Sequence, residues 1–277
     1  MSGKSSTDPD QQDVNQSPPV STALLLAAGA GTRLHCAAQT EAMPKCLLEV
    51  GGLSILERLV SSLMANGIRR LVIVTGYMEN RIRDAVTQIV SDIQIETIEN
   101  SDYATTNNIY SLWLARYKIR EPFLLFESDL VFEASLLPKM LAPDKAAIST
   151  ILPWMNGTTV SLNCRQKIES FNVMGLFNQR DQFKTVNMYC LSLESWDRII
   201  SQLDEHISVG RTSSYYEVVF SEMVAENDLE FETVIFPNDR WYEIDTHADR
   251  HAANKLLASW PTDRISGSKD TQGGTRQ

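Results

Sequence analysis

Residues 23–34 read ALLLAAGAGTRL, a short apolar run that ends in Gly29 and Gly31. So uniform a run predicts a strand buried on both faces, and two glycines directly after it predict a tight loop whose backbone N–H groups can close on an anion. Working outward, Ser54 can cap an amphipathic helix, ILERLVSSLMAN, that stops at Gly67, and RRLVIVTG (69–76) reads as a second buried strand. The pattern recurs as a helix near Glu79 to Val90, the strand IQIETIE (93–99), a helix from about Asn107 to Tyr117 and the strand PFLLFES (122–128). Strands alternating with helices predict an α/β fold with a Rossmann-like, mostly parallel sheet, and ligands in such sheets bind at the carboxyl ends of the strands.

Beyond residue 150 the pattern changes. TTVSLN (158–163), KIESFNV (167–173) and KTVNMYCLS (184–192) alternate apolar and polar residues, as half-exposed antiparallel strands do. Helices near Glu194 to His206 and Ser214 to Glu226 precede the strands LEFETVIF (229–236) and RWYEID (240–245), and a last helix ends near Ser259. The expected sheet is therefore mixed. Residues 1–20 and 263–277 are too polar to offset the entropy of ordering and are expected to be disordered tails around one domain, 21–262.

The chain has 277 residues, 43% of them hydrophobic, enough for one large core. A formal net charge of -10 disfavours a sequence-independent grip on nucleic acid. No apolar run approaches the ~20 residues that cross a bilayer and no secretory-signal order is present, so a cytoplasmic protein with no membrane partner is expected. Cys36, Cys46, Cys164 and Cys190 match no zinc spacing and are expected to be reduced structural thiols.

Three sets of residues carry chemistry. In the first, AAGAGTRL (27–34) is followed by MPKCLLEVGG (43–52), so Arg33 and Lys45 can add fixed positive charge to an anion-binding loop. It is no Walker A loop, since no Gly-Lys-Ser/Thr follows. It matches a dinucleotide fingerprint only in its first two glycines, Leu34 standing at the third position with no clean helix pattern after it. A plain glycine turn with two solvated cations stays open at this level. The short loop from Ala37 to Ala42, with Gln39 and Glu41, follows it.

The second set is acidic. Glu127 and Asp129 leave the end of FLLFES, Glu243 and Asp245 lie in RWYEIDT, and alternate residues on a strand share a face. Two acidic clusters beside a phosphate loop point to an oxygen-liganded magnesium ion. The third set is Trp154, Tyr215, Tyr216, Glu217, Trp241 and Tyr242, aromatic faces and a carboxylate of the kind that suits an organic cation. Lys184 read alone is an exposed lysine serving solubility.

The motif L-A-A-G-x-G-T-R-L with a following Pro44-Lys45 resembles the signature of the sugar-nucleotide pyrophosphorylase and cytidylyltransferase superfamily. The resemblance implies a nucleotide-diphospho-sugar transferase-like fold. It further implies a loop of Ala28, Gly29, Ala30, Gly31 and Thr32 around a triphosphate, Arg33 and Lys45 as the catalytic cations, and Asp129 and Asp245 as magnesium ligands, with Glu127 and Glu243 as second choices. The segment NSDYATTNNIYSLWLAR (100–116) is similar to a stretch of bacterial phosphocholine cytidylyltransferases, implying nucleoside contacts from Asn107, Asn108 and Ser111, joined by Gly76 and Tyr77. FKTVNMYCLS (183–192) and GRTSSYYEVVF (210–220) are similar to motifs of cytidylyltransferases acting on 2-aminoethylphosphonate, implying Lys184 on the phosphonate, with Tyr216, Glu217 and Trp241 also on the acceptor. The expected partners are CTP and a small phosphonate or phosphorylated amino alcohol. Phosphocholine and sugar-1-phosphate transfer are the near alternatives; a nicotinamide-dependent oxidoreductase and a non-catalytic nucleotide sensor are the distant ones.

Overall fold

Strand β1 (Thr22–Ala27) is buried along its whole length because both faces of the sheet are covered. Ala23, Leu25 and Ala27 point into one core layer, while Leu24 and Leu26 point into the other. The continuous apolar run is the sequence trace of this two-sided burial. The computed structural model describes residues 20–35, 42–173 and 182–260. The expected tails and the loop at Ala37 to Glu41, with Cys36, lie outside them, except that Val20, placed in the N-terminal tail by composition, is buried in the core.

The glycine loop leads into α1 (Thr32–His35), a single helical turn where sequence showed no clean helix start. Strands β2 (Glu49–Val50) and β3 (Leu53–Ser54) form a small hairpin, and α2 (Ile55–Ala65) begins at the expected cap. There Ser54 Oγ accepts from Glu57 N at 3.1 Å and the Glu57 carboxylate accepts from Ser54 N at 2.7 Å, a capping box. Next come β4 (Arg70–Thr75), α3 (Glu79–Gln88), β5 (Gln94–Glu99), α4 (Asn108–Ala115) and β6 (Phe123–Glu127). Strands β6, β1, β4 and β5 lie parallel in that order, the expected β-α-β half.

The second half follows as β7 (Leu130–Phe132), β8 (Lys145–Thr150), β9 (Thr159–Leu162), β10 (Ile168–Asn172) and β11 (Gln182–Leu191). After α5 (Leu193–Ser208) and α6 (Tyr216–Ala225) come β12 (Glu232–Ile235), β13 (Trp241–Glu243) and α7 (His247–Leu257). Strand β11 runs antiparallel to β6 and carries the sheet on to β9 and β10, and β8 joins β11 to β12. The sheet is thus mixed, with α2 and α3 on one face and α4, α5 and α6 on the other. The short pair β7–β13 stands apart, antiparallel, with Leu130 opposite Glu243. Among the described residues, no helix is long and apolar enough to cross a membrane. Cys46 and Cys190 are buried free thiols, whereas Cys164 is free and exposed, so it is no core thiol.

Candidate active site

A cleft of about 260 Å³ opens at the carboxyl ends of β1, β5 and β6. Its lining joins Ala28, Gly29, Gly31, Thr32, Arg33 and Lys45 to Asn107, Asn108, Ser111, Glu127 and Asp129. Gly31 has φ +60°, and a Cβ there would meet Lys45 Cγ at 3.0 Å, so the glycine lets the lysine stem cross directly beneath the loop.

The Lys45 ammonium is the hub of the site. It donates to Asp129 Oδ2 at 2.8 Å and to Asp245 Oδ1 at 2.6 Å, and Arg33 Nη1 donates to Asp245 Oδ2 at 2.7 Å. Burial alone would lower the lysine's pKa, but the two carboxylates outweigh it and hold the pKa above the ordinary lysine value. The two aspartates meet although 116 positions separate them, because β7 pairs with β13 and Ile244 N donates to Asp129 O at 2.9 Å. Asp245 is held in turn by the helix that follows it: Asp249 forms a capping box with Thr246 and accepts from Asp245 N at 3.2 Å.

The structure therefore brings the two expected metal ligands together, but by a different route from shared strand faces. β6 ends at Glu127 and β7 starts at Leu130, so Asp129 sits in the connecting turn, and Asp245 lies just past β13. Two carboxylates are hard oxygen donors, and Asp129 Oδ1 is buried without a partner, which fits a magnesium ion that completes its shell with phosphate oxygens and water. Among the described residues, no group of three or more His, Cys, Asp or Glu is arranged to cage a metal without substrate.

Gly76 and Tyr77 do not line the cleft; they brace its wall. A Cβ on Gly76 would meet Tyr103 Cβ at 2.7 Å and Ala28 O at 2.9 Å, and Tyr77 N donates to Ala28 O at 3.0 Å. Ala30, half-buried, is likewise absent from the lining. Residues that sequence reading passed over do line it: Asn100, Tyr103, Thr106 and Ser128. Asn100 is the organiser, donating to Thr106 Oγ1 and Ser111 Oγ, each at 3.1 Å, and accepting from Asp102 N at 3.0 Å. Its place at the end of β5, a parallel strand, was the available signal.

Behind Glu127 lies a second group. Asn108 donates to Glu127 Oε1 at 3.1 Å and accepts from Tyr216 N at 3.0 Å, tying the end of β6 to the start of α6, where Glu217 follows. Lys184, expected as an exposed residue on sequence alone, is fully buried. Its Nζ lies 3.1 Å from Glu243 Oε2 and donates to Thr185 O at 2.8 Å, beside Gly157, whose φ is +96°. Tyr216 is enclosed with its hydroxyl beside Glu127. Trp241, expected on the acceptor, is packed into the core with Nε1 donating to Ser149 Oγ at 3.1 Å. Its β13 neighbour Glu243, two residues on, is the one that meets Lys184. Burial, reinforced by Glu217, holds the Glu127 carboxyl well above the usual range, and burial pushes Glu217 up to about 7.

Comparison with known proteins bears on the family and the fold. Residues 23–262 match the family model described as MobA-like NTP transferase domain. A CMP-5'-(3-aminopropyl)phosphonate synthase of Streptomyces rubellomurinus is 28% identical over 241 residues, covering 84% of this chain and 38% of that protein. A bifunctional IPC transferase and DIPP synthase of Aquifex aeolicus is 34% identical over 242 residues, 86% of this chain and 52% of that protein. The chain thus spans about half or less of the length of these relatives. Among solved structures, the inositol-1-phosphate CTP transferase from T. maritima superposes with a TM-score of 0.70 at 23% identity, over 87% of this chain and 98% of that one.

Proposed function

Since the chain belongs to the MobA-like NTP transferase domain family, we propose that its cleft binds CTP and couples CMP to a small aminoalkyl phosphonate, 2-aminoethylphosphonate being the leading candidate, with release of pyrophosphate. The observation that carries this reading is the Lys45 ammonium held between Asp129 and Asp245 directly under the glycine loop. Phosphate-binding cations and oxygen donors for a divalent ion therefore share one cleft. The preference for CTP and for a phosphonate draws on the Streptomyces relative's name and on the carboxylates behind Glu127, which suit an amine.

The chemistry asks little covalent work of the protein. An oxygen of the acceptor, already ionised, forms a bond to the α-phosphorus as the bond from that phosphorus to the β-phosphate oxygen breaks, so no general base is needed. Backbone N–H groups of the glycine loop hold the triphosphate, and Arg33 and Lys45 neutralise charge that builds on it. Asn107, Asn108 and Ser111, which line the cleft, would contact the nucleoside. Magnesium, when bound by Asp129 and Asp245, would supply further neutralisation of the phosphates. Lys184 keeps one ammonium N–H beyond its two contacts, available to a phosphonate oxygen.

The test is pyrophosphate release with magnesium across four nucleoside triphosphates, each paired with 2-aminoethylphosphonate, phosphocholine, inositol-1-phosphate and glucose-1-phosphate. Release with CTP and the aminophosphonate is expected. Phosphocholine is the rival acceptor, and its preference over the aminophosphonate would overturn the substrate while keeping the reaction.

A further inference from the structure

We propose that Glu127, Glu217 and Glu243, with the hydroxyls of Tyr189 and Tyr216, form a subsite that selects a primary ammonium group over a quaternary one. The inference rests on the reading that this end of the cleft receives the acceptor, and it names the chemistry recognised there.

Charge gives the first argument. Three carboxylates gather behind the nucleotide cleft, and the buried cation among them, Lys184, is engaged by Glu243 and a backbone carbonyl. Burying so many carboxyls is costly unless protons or a cation neutralise them. Glu127 lines the cleft and the Glu243 side chain keeps 19% of its surface exposed, so the group meets the cleft through Glu127.

Unused hydrogen-bonding atoms give the second. Glu217 Oε2 and Tyr189 Oη are buried without a partner, each residue being at most 3% exposed, and the Tyr216 hydroxyl has Glu127 beside it. Buried polar atoms are nearly always paired in folded proteins, so two orphans around one acidic group mark a place where a ligand's donors belong. Both can accept. Burial pushes Glu217 up to about 7, so an arriving ammonium meets a carboxyl ready to ionise.

The ligand class follows from what each candidate supplies. A primary ammonium brings a positive charge and three N–H donors. A quaternary ammonium brings the charge but no donor, leaves the orphans unsatisfied, and is better met by open aromatic faces. Such faces are taken here: the Tyr189 and Tyr216 rings pack edge-on at 6.1 Å, and Phe220 lies 5.3 Å from Tyr189 and 5.2 Å from Tyr216. An uncharged sugar hydroxyl would bring donors without charge.

The experiment reads binding apart from turnover. Thermal shifts of the ligand-free protein are titrated with n-propylammonium and with tetramethylammonium at matched ionic strength, in the wild type and in Glu217→Gln. Roughly tenfold lower half-saturation for the primary amine is expected, the worth of one charge-assisted hydrogen bond, and the gap should shrink in the variant. Equal responses to the two cations in the wild type, or no response to either, overturn the subsite, and this comparison needs no variant to fold. In parallel, pyrophosphate release is measured with 2-aminoethylphosphonate, its trimethylammonium analogue and n-propylphosphonate. Failure of all three phosphonates while the amine titration succeeds would overturn the acceptor assigned above and leave the ammonium subsite standing.

Discussion

The two ends of the cleft solve the burial of charge in opposite ways. At the glycine-loop end, Asp129 and Asp245 are matched by Lys45 and Arg33 at 2.6 to 2.8 Å, a self-neutral cluster in the absence of ligand. At the other end, Glu127, Glu217 and Glu243 exceed Lys184, and polar atoms stay unpaired. The first end must exchange partners when a triphosphate arrives, since Lys45 cannot fully serve both carboxylates and phosphate. The second end holds raised-pKa carboxyls and would surrender protons to an arriving cation. On the proposed function, cations would hold the anionic end of each substrate and carboxylates the amine of one.

The largest effect that would break this comparison comes from Lys45. Lys45→Met should lower kcat by ~10²–10³-fold through loss of charge stabilisation on the reacting phosphates. It should also leave two neighbouring carboxylates without their counter-ion, so Mn²⁺, used as a probe for the divalent site, should bind the nucleotide-free variant roughly tenfold more tightly than wild type. Titration followed by electron paramagnetic resonance reads this directly. An unchanged Mn²⁺ affinity would mean that the lysine does not stand in the metal's place.

How much of this was legible from sequence divides along the same line. The β-α-β half could be read because each buried strand is a local apolar run and each turn a local glycine; ALLLAA, RRLVIVTG and FLLFES became β1, β4 and β6. The aspartates were found by resemblance, whereas the pairing that joins them, β7 with β13, is three residues long on each side and leaves no periodicity. β8 was missed outright, since KAAIST is short and unremarkable, yet it carries the Ser149 that anchors Trp241. Lys184 shows the limit most clearly: no composition rule places a lysine at zero exposure, because its burial depends on Glu243, 59 positions away.

A smaller effect sharpens the acceptor end. Burial first, with Glu243 adding to it, raises the Glu217 carboxyl from 4.5 to about 7. A raised folded-state value means that the folded protein holds this proton more tightly than the unfolded chain does. The associated stability is therefore fully present below about 4.5 and is lost as pH rises through about 7. The melting temperature of the ligand-free protein should fall between pH 5 and pH 8, by roughly 2–4 °C for each kcal/mol lost. Glu217→Gln should flatten that fall and exceed wild type at pH 8. A wild-type profile flat across this range would show that Glu217 is already compensated, and the contrast between the two ends would weaken.

The smallest expected effect marks where the acceptor wall stops and the core begins. On β13, Trp241 packs in the core with its indole on Ser149 of β8, and Glu243, two residues on, meets Lys184. A tryptophan on the acceptor would contribute to binding; a tryptophan in the core contributes packing and one hydrogen bond. Trp241→Phe keeps most of the apolar area and removes the donor to Ser149, so it should cost about 1 kcal/mol of stability in urea unfolding. Acceptor KM should stay within about twofold of wild type, because the variant touches neither Glu243 nor Lys184. A rise in acceptor KM without loss of stability would place the indole against substrate. The wall would then extend past Glu243 along β13, and an aromatic face would have to be added to the carboxylates as a determinant of which cation enters.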